Sequence, residues 1–245
     1  MSRAPTRTLR VFKYAMYFNG VNDYVDCGNP PVLDFATEDF TVEVWAKSFG
    51  GVFGRGVVNK GGWGTPGYSI SEAYVPPDRY YFAVRDATTY RHVALPLTAI
   101  WDWKHVVGIK KTNYLEAWVN RARVGTLSAT IGSLSNPAKS FEVGRSFDKY
   151  YFYGLICAVR VYSRALSAEE VAHNYSNPGN PARSGLVLWL QAHPDNVKDV
   201  DGDGRLEWLD LSGYNNHAKL YGATLVEVVK SPARVLSPAR VVPTV

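Results

Sequence analysis

Phe40-Thr-Val-Glu-Val-Trp45 sets Phe40, Val42 and Val44 on one side of an extended chain and Thr41, Glu43 and Trp45 on the other, because successive strand side chains point to opposite faces. A period of two with one apolar side marks a strand resting on a core. Similar runs are Tyr80 to Arg85, Lys104 to Ile109, Leu115 to Asn120 and Leu155 to Tyr162, and the last is apolar enough to be central. Gly, Pro, Asn and Asp divide them at short intervals, the pattern of an antiparallel two-sheet sandwich. One short helix is expected from Leu166 to Tyr175, where Ser167 can cap and Glu170 follows at the capping-box distance.

The whole composition agrees with a packed sandwich. The 245 residues are 46% apolar, 20% charged and carry a net charge of +5. That excludes a disordered polyelectrolyte and favours one large domain. No apolar run reaches 18 residues, so no transmembrane helix is expected. The basic start, Met1 to Arg10, has no apolar stretch behind it and does not read as a secretory signal. No Lys/Arg run exceeds two, which argues against nucleic acid as a partner. One Gln and two Met lean towards a thermophilic source.

Ala15-Met-Tyr-Phe-Asn-Gly-Val-Asn-Asp-Tyr-Val-Asp-Cys-Gly28 resembles the opening of laminin G-like members of the concanavalin A-like superfamily. Phe40 to Trp45, Trp103 to Val107, Leu115 to Gly125 and Gly154 to Tyr175 follow in that family's order. The resemblance covers residues 15 to 175 and implies an all-β jelly roll, placed here at residues 1–176. A Pro/Gly linker is expected at 177–184. Residues 185–230 then carry Gly185-Leu-Val-Leu-Trp-Leu190 and Asp210 to Ala223, which look like the family's opening segment displaced to the far end. The strand with Leu186, Leu188, Trp189 and Leu190 is apolar on both faces, so it must dock, on its own sandwich or on a neighbour's. Docking on a neighbour would build a head-to-tail filament by strand donation. Residues 231–245 repeat Ser-Pro-Ala-Arg-Val and read as an extended tail.

Asp199-Val-Asp-Gly-Asp-Gly-Arg-Leu-Glu-Trp-Leu-Asp210 has the spacing of a calcium loop, with side chains from Asp199, Asp201, Asp203 and Asp210 and the Arg205 carbonyl as ligands. Asp stands where the bidentate Glu is usual. Cys27 and Cys157 lie in elements that neighbour each other in related folds and form either a disulfide or two buried thiols. Trp63, Tyr68, Tyr74 and Tyr90 stand among Gly and Pro as candidate glycan or partner contacts. Glu38, Asp39 and Glu43 do not match the clustered carboxylates of polysaccharide-cutting relatives, and no enzyme activity is expected. Asn174-Tyr-Ser176 is a single glycosylation sequon. The favoured expectation is a structural coat or filament protein, extracellular or on a virion surface. A lectin-like adhesion module binding cell-surface glycans is the alternative.

Overall fold

The computed structural model describes residues 12–50, 54–62, 64–72, 79–96 and 102–228. In chain order its strands are β1 (Tyr14–Asn19), β2 (Tyr24–Asp26), β3 (Phe40–Ser48), β4 (Gly56–Gly62), β5 (Thr65–Glu72), β6 (Arg79–Arg85), β7 (Tyr90–Pro96), β8 (Lys104–Lys111), β9 (Tyr114–Val119) and β10 (Ala122–Ser128). Then come β11 (Glu142–Val143), β12 (Arg145–Ser146), β13 (Tyr150–Tyr151), β14 (Tyr153–Tyr162), helix α1 (Ala168–Ser176), β15 (Leu186–Gln191), β16 (Val197–Lys198), β17 (Glu207–Trp208), β18 (Ala218–Tyr221) and β19 (Thr224–Glu227).

Two antiparallel sheets form the jelly roll. The first runs β10-β9-β8-β3-β14-β1-β19, with β15 beside β14; the second runs β16-β17-β18-β2-β11-β4-β5-β6-β7. Phe40, Val42 and Val44 lie between the sheets with Ile70, Phe82, Val106, Phe141 and Val159, all fully buried. The alternation read from Phe40 to Trp45 therefore selects the inner face correctly. Helix α1 starts as expected: Ser167 Oγ accepts the Glu170 N–H at 3.3 Å, and Glu170 returns to the Ser167 N–H at 2.9 Å.

The other face of the first sheet is not open to water, because α1 and the turn after it fold back over it. Glu43 is 1% exposed and Arg160 and His105 are fully buried. Arg160 Nη1 donates to Glu43 Oε1, His105 Nε2 lies 3.1 Å from the same oxygen, and Asn174 Nδ2 donates to Glu43 Oε2 at 2.6 Å. Asn174 also bonds the Tyr162 hydroxyl and the Ala182 N–H, while Arg160 Nη2 donates to Pro178 O. Although burial works against charge on Glu43, Arg160 and His105 outweigh it and hold the carboxyl down at about 2. Three expectations change here. Glu43 is the centre of a buried network rather than an outward strand residue. The turn at 177–184 is pinned by Arg160 and Asn174. The sequon asparagine is fully buried, so the folded chain offers it to no transferase.

Residues 186–228 complete their own sandwich. β15 pairs the second half of β14, with Leu190 opposite Val159; β18 pairs β2; and β19 pairs β1. Of the two expected dockings of the strand with Leu186, Leu188, Trp189 and Leu190, on its own sandwich or on a neighbour's, this chain adopts the first, in cis. Leu188 and Leu190 enter the inter-sheet core, while Leu186 and Trp189 face the α1 side. Both faces of β15 are covered, which is why it is apolar on both. The tail at 231–245 lies outside the described residues.

Candidate functional site

β2 and β18 bring together residues from opposite ends of the chain, with Tyr24 opposite Tyr221. Val25 and Leu220 turn into the core, so the two tyrosines stand on the outer face. Their rings stack at 4.4 Å with planes 5° apart. The Arg145 guanidinium lies 3.6 Å from the Tyr24 ring centre and Arg205 lies 4.2 Å from that of Tyr221. Each ring already has its partner ring on one face, so the guanidinium groups take the outer faces. The result is a four-layer ladder, Arg145, Tyr24, Tyr221, Arg205, each contact a cation–π or stacking interaction. Glu142 accepts from Arg145 Nε at 3.0 Å and from its Nη2, and this pairing raises the Arg145 pKa against the opposing effect of burial.

An open cleft of about 500 Å³ runs along the ladder, lined by Asn22, Tyr24, Asp203, Gly204, Arg205, Leu220, Tyr221 and Gly222. Its near wall is set by Asn19, whose Oδ1 accepts the N–H groups of Val21, Asn22 and Asp23. Gly222 has φ +79°, and a Cβ there would meet Asp23 Oδ1 at 2.1 Å, so only glycine lets the two loops close this far.

The far wall is the acidic loop. Carboxylate oxygens of Asp199, Asp201 and Asp203 lie within 4.8 Å of one another. Lys219 Nζ donates to Asp201 Oδ2 at 2.7 Å and to Asp203 Oδ2 at 2.6 Å, which raises the lysine pKa. Asp210 is turned away: it is buried and accepts from the N–H groups of Trp189, Ser212 and Asn216. Its expected place as the last calcium ligand is corrected, because β17 intervenes and carries it to the β15 side. The donor set fits calcium in part, with three carboxylates converging and an ammonium already between two of them.

The family model of the concanavalin A-like lectin/glucanases superfamily matches residues 19–172, more than half of the chain. The chain belongs to this superfamily. No curated protein matches it. Among solved structures, a Bacteroides ovatus protein described as a candidate carbohydrate binding protein superposes with a TM-score of 0.68 at 19% identity, over 88% of this chain and 60% of that one. The chain thus spans about three fifths of that protein. The heptameric SAP-like pentraxin of Limulus polyphemus gives 0.52 at 14% identity, over 66% of this chain and 82% of the other. At these identities the likeness establishes the sandwich.

Within this sandwich the expected contact residues scatter. Tyr68 is buried, donates its hydroxyl to Leu33 O at 2.8 Å and packs on Phe40, so it is a core residue. Tyr90 is half-buried near His92 on the second sheet's outer face, and burial pushes its hydroxyl up to about 12. Trp63 and Tyr74 lie outside the described residues. Cys27 and Cys157 are both buried free thiols. The disulfide is corrected because Cys27 faces the inter-sheet core whereas Cys157 faces outward beside Trp45. Burial raises both thiol pKa values well above the ordinary range, leaving little reactive thiolate. Of the ladder, the sequence singles out only Arg205, and that for its carbonyl rather than its guanidinium. The alternation in Tyr24-Val25-Asp26 and Lys219-Leu220-Tyr221 signals two outward tyrosines, but not that they meet.

Proposed function

We propose that the chain is a non-catalytic, extracellular carbohydrate-binding module that holds a glycan along the Tyr24/Tyr221 cleft. The observation that carries this is the ladder itself: a stacked row of two rings and two guanidinium groups, of which Tyr24, Tyr221 and Arg205 line an open groove on the sandwich. Its ring faces are covered, so it offers hydroxyl and N–H edges and the outer plane of Arg205, groups that match sugar hydroxyls. Binding without hydrolysis is favoured by the carboxylates. Among the described residues Asp203 is the one carboxylate lining the cleft, and Lys219 holds it, whereas glycoside cleavage ordinarily needs a facing pair. The filament reading has lost its donor strand, since β15 is bonded to β14 of its own chain. A glycan array probed with the intact chain and with Tyr221→Ala should give a defined set of binders, weakened about tenfold by the substitution. An array with no binders, or equal binding by the variant, rejects the reading.

Calcium at the acidic loop is a second proposal, and it competes with Lys219. Three aspartates so close need a counter-charge, and the ammonium supplies one. Lys219→Met should therefore create a calcium site, with the melting temperature of the variant rising on calcium addition by mass action. The unsubstituted chain should respond weakly. A melt of the variant indifferent to calcium would end the calcium proposal.

A further inference from the structure

We propose that the cleft selects an acidic sugar, with Arg205 receiving its carboxylate; this rests on the carbohydrate-binding reading above. The charges around the groove decide it. Arg145 is engaged by Glu142, and Lys219 by Asp201 and Asp203. Asp23 is buried, and burial raises its carboxyl. Arg205 is exposed, and its charge reaches Asp203, whose carboxyl it helps to lower, without a salt bridge between them among the described residues. Its backbone N–H is fixed on Asp203 Oδ1 at 2.8 Å, and its guanidinium is fixed on the Tyr221 ring. A planar fork whose one face is already stacked has lost much of its freedom before any ligand arrives, and its N–H edge suits a carboxylate bidentately.

The opposite wall adds a donor. Asn22 Oδ1 accepts from Asn19 Nδ2 at 2.7 Å, which leaves the Asn22 amide N–H groups for the groove. Asp203 is held by Lys219, which it shares with Asp201. The groove thus presents N–H donors from Asn22 and Arg205, and the Arg205 fork is the group that an anionic sugar would complement. A carboxylate is favoured over a sulfate because a planar fork meets a planar anion with two parallel bonds.

The test is calorimetric titration of the intact chain with trigalacturonate, its methyl ester, 3′-sialyllactose, and a sulfated lactose, repeated with Arg205→Met and Arg205→Lys. At least one carboxylate sugar should bind ten times or more tighter than its neutral or sulfated counterpart. Arg205→Met should erase that preference, and Arg205→Lys should keep only part of it, with the melting temperatures unchanged because the side chain is exposed. Equal binding of acid and ester, or a preference that survives Arg205→Met, overturns the inference while leaving a glycan site in place. Binding of none of these sugars overturns the inference, and an empty glycan array beside it removes the carbohydrate-binding reading as well.

Discussion

Ending the chain after Ser184 is expected to abolish folding rather than to leave a weakened monomer with an open groove. Three sheet edges would be stripped at once: residues 158–162 of β14 lose β15, β1 loses β19 and β2 loses β18. The backbone groups there would be left without partners. The core would lose Val187, Leu188, Leu190, Trp208 and Leu220. At about 1.5–3 kcal/mol for each large side chain, that loss rivals the whole ~5–15 kcal/mol stability of an ordinary domain. Circular dichroism with a thermal scan reads it directly. A truncated chain with a cooperative melt would show that residues 1–184 are self-sufficient and that the C-terminal strands are an accessory.

The second large effect is expected from Arg160→Met, which leaves the Glu43 carboxylate buried without its guanidinium. Breaking a buried pair on one side costs about 3–5 kcal/mol, whereas replacing both partners costs far less. The double variant Arg160→Met/Glu43→Gln should recover much of the loss. Glu43 has a folded pKa lowered from about 4.5 to about 2, so the unsubstituted chain should hold this contribution above pH 4.5 and lose it as pH falls towards 2. In Arg160→Met the freed carboxylate can take a proton, so its deficit should shrink over the same interval. Urea unfolding at pH 7, 4 and 2.5 checks both trends. A single variant as stable as the double at pH 7 would mean that the network adds nothing to stability.

The inner faces of β3 and β14, the α1 capping box and the jelly-roll class were legible because local patterns carry them. Phe40, Val42 and Val44 need only the period of two, and Ser167 and Glu170 only their spacing. The faces covered from a distance were not legible. Alternation shows that Glu43, His105 and Arg160 leave the inter-sheet core, but not that α1 returns over them with Asn174. The calcium-type spacing brought Asp199, Asp201 and Asp203 together, yet gave no warning that Lys219 would stand among them. The cysteines were placed in neighbouring elements, but strand adjacency says nothing of which face of a sheet each thiol takes. Tyr24 and Tyr221 meet because the displaced opening segment docks in cis, a choice that the sequence order left open.

A glycan held by the Tyr24/Tyr221 ladder should leave its footprint there. This is tested most directly by mapping where a binder sits, from NMR chemical-shift changes on titrating a glycan taken from the array into the labelled chain. The largest shifts are expected at Asn22, Tyr24, Arg205, Tyr221 and Gly222, with the β6 and β7 face silent. Shifts concentrated at Tyr81, Tyr90 and His92, with the ladder unmoved, would contradict that placement.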